Sequence, residues 1–244
     1  MMSLSRQSVQ AQALGDGAIQ IALQALSANN QPLTQWVQSQ VVYRGVSMQV
    51  QVTPLSGYID INAAPPSLLE RLFSVAGGLA PAAAQTAAQA VIAVRDTPDA
   101  RGARQRFEAE EDLLRVPGID YDLYARLADL LTADVRGSGR VNPLAAPVEV
   151  LMVLTGGNAG AAMQIASRRA AGQVGVDTSS IDGSLTEISA VRQFRIQARV
   201  PMADGSVMRI ARNVALDARM PDGAPWHTFR TFRSVEPVQR ANTQ

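Results

Sequence analysis

The most constraining feature of this sequence is the internal repeat of one short motif. The segments Ile59–Pro65 and Val141–Pro147 align at an offset of 82 residues and share an identical Ala-Ala-Pro. The same offset places Leu69 over Leu151, in the apolar stretch that follows each proline. Proline is favoured in the first turn of a helix, where its missing N–H is not needed. Each copy is therefore predicted to be an extended segment that leads directly into a helix.

Both copies predict a helical hairpin. An apolar helix, a glycine-containing turn and a second helix ending at an arginine follow one another in Ser67–Arg95, and again in Val148–Arg169. Between the two hairpins, acidic residues begin a helix within Phe107–Ile119 and Pro-Gly ends it, before a further helix predicted over Tyr121–Leu131. Residues 57–189 are thus predicted to form one all-helical domain.

The residues on either side of this domain have a different pattern. Residues 3–28 contain no proline and repeat apolar residues at helical spacing, which predicts one long helix. Apolar and polar residues then alternate, which predicts strands over Val46–Val52, Phe194–Val200, Met208–Leu216 and, at an edge, Trp226–Phe232. Segments of about 50 residues bury too little surface to fold alone, so 1–56 and 190–244 are predicted to share one antiparallel sheet. The fold class is α+β, interrupted by the all-helical domain 57–189.

Charge is distributed unevenly along the chain. All 22 basic residues are arginines, against 21 acidic residues in total. Residues 57–189 have 11 arginines and 16 acidic residues, net −5, whereas 190–244 have 9 and 4, net +5. The absence of cysteine excludes disulfides and thiolate metal sites. No apolar run approaches the roughly 18 residues of a membrane-spanning helix.

The sequence contains no recognisable catalytic constellation, so a protein without enzymatic activity is predicted. It has a single histidine, His227. It contains no serine-elbow motif and no second histidine at metal-binding spacing. Three pairs of aspartates could offer oxygen ligands to calcium, although none completes a known calcium-binding loop, and helix capping is the favoured interpretation. The pairs are Asp120 with Asp122, Asp96 with Asp99, and Asp177 with Asp182.

The paired hairpins also suggest an alternative function, that of a helix-hairpin-helix DNA-binding module of the competence-receptor type. Such modules hold a phosphate with backbone N–H groups of a Gly-hydrophobic-Gly turn. Here the turn Val116–Ile119 is followed by Asp120, where the second glycine would lie. The net negative charge of residues 57–189 further disfavours phosphate, so no nucleic-acid partner is expected.

The order of these elements resembles that of the K-type minor pseudopilin of the bacterial type II secretion system, the general secretion pathway protein K family. The resemblance covers nearly the whole chain, and the helix Gln10–Leu26 looks like the periplasmic half of the long pilin helix. It rests on five motifs in a fixed order, namely Ile59–Leu69, Ile92–Asp96, Phe107–Ile119, Val141–Leu151 and the hairpin Phe194–Val214. It implies a pilin-like long helix plus a small antiparallel sheet, interrupted by a large all-helical inserted domain.

The same resemblance implies a role, a location and partners. The protein would sit at the tip of the pseudopilus with the I-type and J-type minor pseudopilins and the other pseudopilins, and would initiate or cap the filament for protein export. It would be periplasmic and anchored in the inner membrane in its full-length form. The prepilin leader and the apolar half of the first helix are not in this sequence. Calcium is associated with the family, without an assignment of its ligands here.

A partner-binding surface is predicted on the first helix. Its apolar residues cover more than one face, and one small sheet is not expected to cover all of them. Apolar surface left over in this way usually marks an interface. The residues predicted to bind sister subunits are Leu14, Ile19, Ala22, Leu23 and Leu26. The alternative interpretation is that Leu14, Ile19 and Leu23 complete the core of this domain itself.

Overall fold

A computed structural model of the protein describes residues 2–29, 31–98, 102, 105–134, 137–173, 175–216 and 223–237, with the side chains of the first helix described from Arg6 onward. Its contacts divide the chain into two compact units. The sheet unit comprises Met1–Pro54 and Ala190–Gln244, and the helical unit comprises Leu55–Ser189.

Six α-helices and seven β-strands follow one another along the described residues. In chain order they are α1 (Met2–Asn29), β1 (Val37–Tyr43), β2 (Val46–Pro54), β3 (Ile59–Asp60), α2 (Pro66–Arg71), α3 (Pro81–Asp96), α4 (Tyr121–Leu127), β4 (Leu131–Thr132), α5 (Val148–Leu154), α6 (Ala159–Ala170), β5 (Gln193–Pro201), β6 (Val207–Ala215) and β7 (His227–Glu236). Within the described part of the chain, no helix has both the length and the apolar character needed to cross a bilayer.

The sheet unit contains a five-stranded antiparallel sheet in the order β1-β2-β5-β6-β7. Strand β2, from the front of the chain, pairs with β5, from its end, so that Val52 lies opposite Ile196. The two terminal segments therefore close into one sheet, as predicted. This arrangement confirms the α+β fold class, in which a long helix and an antiparallel sheet are interrupted in sequence by a mainly helical insertion.

Helix α1 packs on one face of this sheet. Ile19 and Leu23 have no exposed surface and pack among the inward-facing residues of β2, β5 and β6. The helix comes so close to the sheet at Gly15 that a Cβ atom there would lie 2.5 Å from Cδ1 of Ile210. Arg212 on β6 donates a hydrogen bond to the Asp16 carboxylate at 2.7 Å. The pattern of apolar residues predicted this helix. The close approach leaves little room for a side chain at position 15, which explains the glycine there.

Strand β1 was not predicted from the sequence. Its polar run Gln38–Gln40 is exposed, and of its seven residues only Val41 is fully buried, so the strand lacks a clear alternation. It forms a tight hairpin with β2 through Arg44 and Gly45, which have φ values of 50° and 78°. Positive φ at both loop positions is what a two-residue hairpin requires, and a non-glycine residue gives only a weak signal for it.

The helical unit contains the two predicted hairpins. In the first, α2 continues as one turn of π-helix over Leu72–Ala76 before α3, and in the second α5 is followed by α6. Leu69 and Leu151, which the repeat aligns, are both buried in one core. The unit is not purely helical, since β3 and β4 form a two-residue parallel pair.

Gly57 lies so close to the second copy of the repeat that no side chain fits. A Cβ atom there would lie 2.5 Å from the carbonyl carbon of Ala145 and 2.8 Å from the nitrogen of Ala146. Because these are backbone atoms, they cannot move aside as a flexible side chain would. We expect Gly57→Ala to lower the free energy of unfolding by about 2 kcal/mol, measured by urea denaturation followed by circular dichroism.

The control for this substitution is Gly183→Ala. A Cβ atom at Gly183 would meet nothing within 4 Å. We expect this variant to change the free energy of unfolding by less than about 0.5 kcal/mol. Equal stabilities of the two variants would contradict the close packing at Gly57.

Candidate functional site

Each copy of the repeat ends in an arginine that binds the backbone at the start of its own hairpin. Arg95, on α3, donates from Nη1 to the carbonyl of Ala64 at 2.8 Å. Arg169, on α6, donates from Nη1 to the carbonyl of Ala146 at 2.7 Å, and further to those of Pro143 and Leu144. Ala64 and Ala146 are aligned by the repeat. We call these two arrangements the arginine clamps. In the second clamp, burial lowers the pKa of the Arg169 guanidinium to about 10.

The turn before each proline is also repeated. The Asp60 carboxylate accepts a hydrogen bond from the N–H of Asn62 at 2.9 Å. Asn142, at the same position of the second copy, accepts one from the N–H of Leu144 at 3.0 Å. The sequence signal for this turn was an Asp and an Asn in register, both of which favour such turns. The repeat aligns the two residues, but the alignment alone does not indicate that both stabilise the same turn.

Asp60 and Asn142 differ in ionisation. Asp60 is 4% exposed, and its Oδ2 atom has no hydrogen-bond partner among the described residues. Burial raises the pKa of the Asp60 carboxyl to about 6, although the positive charges of Arg106 and Arg95 act in the opposite direction. Asn142 instead donates from Nδ2 to the carbonyl of Ser189 at 3.1 Å. The first copy therefore holds a titratable group where the second holds a neutral amide.

Three of the aspartates considered as calcium ligands accept local hydrogen bonds. Asp120 caps α4 by accepting a hydrogen bond from the N–H of Leu123 at 2.8 Å. Asp177 and Asp182 each accept one from the N–H of the serine two residues further on, and hydrogen bonds from that serine lower the pKa of both carboxyls. Asp99 lies outside the described residues. No group of three or more potential ligands is placed to hold a metal ion in the part of the chain that the structure describes, so calcium remains an implication of the resemblance.

The candidate phosphate-binding turn is occupied by the protein itself. Gly118 has a positive φ of 86°, as the predicted turn requires. The carboxylate of Asp120 then takes the Leu123 N–H at the start of α4, where a phosphate would need free donors. His227 is half-buried at the start of β7, with its ring 6.1 Å from that of Phe229. These placements give no support to DNA binding or to catalysis.

The residues predicted to bind partners lie mostly inside the sheet unit. Leu14, Ile19, Ala22 and Leu23 are buried in its core, and Leu26 is partly buried against it. The strands β2, β5 and β6 cover most of this stripe, whereas other apolar residues of the helix, Val9 and Ile21, stay exposed. Contact of these five residues with a partner stays a prediction.

The comparisons with known proteins bear on the fold. No protein-family model and no curated protein matches the sequence. A chain of the solved GspK-GspI-GspJ complex from the type 2 secretion system of enterotoxigenic Escherichia coli is similar in structure. The similarity covers 96% of this chain and 99% of that chain, with a TM-score of 0.58 and 15% sequence identity. The fold is pseudopilin-like.

In this pseudopilin-like fold, the outer face of the long helix is unusual in composition. Its exposed residues include Val9 at 65% and Ile21 at 39%, together with Ala13, Gln20 and Gln24. We call these five residues the outer face of α1. From Arg6 onward the helix carries only two charged residues, of which Asp16 is paired within the sheet unit. Solvated helices usually carry many charges, whereas interfaces are depleted of them, so this face is the candidate interaction surface.

Proposed function

We propose that this protein is a K-type minor pseudopilin, a subunit without enzymatic activity that assembles with other pseudopilins of the type II secretion system. The observation that carries the proposal is the similarity to a chain of the GspK-GspI-GspJ complex over 96% of the length. The K type is favoured by the order of elements, because the helical unit Leu55–Ser189 interrupts the sheet unit. The I-type and J-type minor pseudopilins are the proposed partners.

The helical unit is proposed to supply the steric bulk that initiates or caps the filament. It has a continuous core of its own. Each of its hairpins is held by an arginine clamp. A rigid block with no assembled catalytic group among its described residues suits this role. The corresponding location is the periplasm, with an anchor in the inner membrane in the full-length form.

The outer face of α1 is proposed to contact the partner subunits. Amide and apolar side chains can be desolvated there without burying an unpaired charge. We expect Ile21→Arg to weaken the complex with the I-type and J-type pseudopilins at least about tenfold, since the arginine would be desolvated in the contact. Co-expression of the three chains, followed by affinity purification and bio-layer interferometry, measures this.

The matched control is Met163→Arg on α6, because Met163 is also an exposed apolar residue on a helix, at 57% exposure. This variant is expected to bind like the unmodified protein. Circular dichroism should show an unchanged fold for both variants, since both side chains already reach solvent. Failure of the unmodified protein to bind I-type and J-type pseudopilins from the same genome would refute the proposed function.

A further inference from the structure

Strand β1 has an open side. Within the described residues the sheet ends at β1, and no strand pairs with it opposite β2. The hairpin closes on the pair Tyr43 and Val46, and hydrogen-bonded pairs alternate along antiparallel strands. The backbone N–H and C=O groups of Gln38, Gln40 and Val42 therefore point away from β2. These groups are the donors and acceptors that an added strand would use.

The two edges of the sheet differ in how they discourage pairing. The edge strand β7 carries Arg230, Arg233 and Glu236, and its pairing with β6 is irregular between Asn213 and Val214. Charges and bulges of this kind are common protections of an exposed edge. Strand β1, with the sequence VQSQVVY, has no charge, no proline and a regular register over all seven residues. Its edge is therefore unprotected and suited to accept a strand.

The open edge is continuous with the side of α1 that we propose as an interface. A Cβ atom at Gly17 would lie 2.5 Å from the ring of Tyr43, which shows how closely the helix and β1 approach. A cleft of about 180 Å³ lies between the helix and the hairpin. It is lined by Gln10, Ala13, Leu14, Tyr43, Arg44 and Val46. A subunit that lies along the outer face of α1 would thus also reach β1.

We propose that β1 binds an extended, uncharged segment of a partner pseudopilin, which adds as a sixth strand of the sheet. This inference rests on the proposed function and specifies the mode by which the partner binds. The segment is expected to lack charges because the residues of β1 and the neighbouring Gln49 and Gln51 offer no charged group to pair with. Backbone hydrogen bonds would supply the attraction, and the exposed Val42 would supply apolar contact.

The test uses two substitutions at one position. Gln40→Pro removes an outward-pointing N–H that β2 does not use, and an edge strand tolerates proline at such a position. Gln40→Ala removes the side chain and keeps the N–H. We expect Gln40→Pro to weaken binding to the co-purified I-type and J-type pseudopilins about tenfold or more in bio-layer interferometry. Gln40→Ala is expected to bind within about twofold of the unmodified protein.

Hydrogen exchange of the unmodified protein gives a second measurement that does not depend on a variant. The amides of Gln38, Gln40 and Val42 are expected to exchange at least about tenfold more slowly in the complex than in the free chain. Normal binding by Gln40→Pro with unchanged exchange would overturn the strand proposal while leaving the proposed function intact. Equal losses in both variants would assign the contact to the side chain and overturn it too. Protection caused by self-association of this chain alone would identify a second copy as the occupant and overturn the proposed partner.

Discussion

Replacing Arg169 with methionine is expected to lower the free energy of unfolding by about 3 kcal/mol. The guanidinium donates from Nη1 to the carbonyls of Pro143, Leu144 and Ala146 at 3.0, 3.2 and 2.7 Å. Methionine keeps an apolar stem of similar length but has no donor, so three carbonyls lose their common partner. Guanidinium chloride denaturation followed by circular dichroism measures the loss.

Two further variants make this test specific. Arg168→Met changes the neighbouring residue of the same helix, which lies outside the clamp, and should shift the free energy of unfolding by less than about 0.5 kcal/mol. Arg95→Met removes the other clamp, in which Nη1 donates to the Ala64 carbonyl at 2.8 Å and makes a longer, weaker contact with the Ile61 carbonyl at 3.5 Å. We expect it to lower the free energy of unfolding by about 2 kcal/mol. Equal stabilities of Arg169→Met and Arg168→Met would contradict the clamp.

The second large effect is the gain of stability that we expect from Asp60→Asn. Burial raises the pKa of Asp60 from 3.8 to about 6, with Arg106 and Arg95 lowering it and Asp134 raising it. A carboxyl whose pKa is higher in the folded than in the unfolded state binds its proton more tightly when folded. The stability that the protonated Asp60 carboxyl contributes is therefore lost as the pH rises from about 4 to about 6. The neutral side chain of Asp60→Asn removes this dependence.

We expect Asp60→Asn to raise the free energy of unfolding by about 2 kcal/mol at pH 8 and to leave it nearly unchanged at pH 4. The shift in pKa corresponds to about 3 kcal/mol, and the expected gain is smaller because the new amide N–H₂ would also lack an acceptor. Urea denaturation at a series of pH values measures both. Parallel pH profiles for the variant and the unmodified protein would rule out Asp60 as the titrating group.

The reverse substitution in the second copy is the control. Asn142→Asp places a carboxylate at the position that the repeat aligns with Asp60, and it removes the hydrogen bond to the Ser189 carbonyl. We expect it to lower the free energy of unfolding at pH 8 more than at pH 4. Together the two substitutions exchange the ionisation of the two copies.

Much of the fold follows from local patterns in the sequence. The alternation at Met48, Val50 and Val52 marks a strand with one buried face, and all three side chains are buried. The Ala-Ala-Pro motifs mark two helix starts, and α2 and α5 begin at or directly after the prolines. Such features depend on neighbours a few residues apart, which is the range over which periodicity, capping and turn preferences act.

The clamps could not be read from the sequence in the same way. An arginine near a helix end is common, and it usually binds the carbonyls of its own last turn or stays in solvent. Arg95 and Arg169 instead bind carbonyls that lie 31 and 23 residues earlier. Only the return of each hairpin onto its own start brings the guanidinium to those atoms. The ionisation of Asp60 likewise depends on burial by residues distant in sequence.

What the sequence by itself determined is that α1 has an apolar stripe, that the strands have one buried face, and that the middle of the chain is a repeated pair of hairpins. These are periodic properties of short segments. Only the tertiary structure decided what covers each face. Strands from both ends of the chain bury Ile19 and Leu23, and this moves the candidate interface to the uncharged outer face of α1 and the open edge of β1. Long-range strand pairing selects which apolar surface becomes core and which remains available, and periodicity carries no information about that choice.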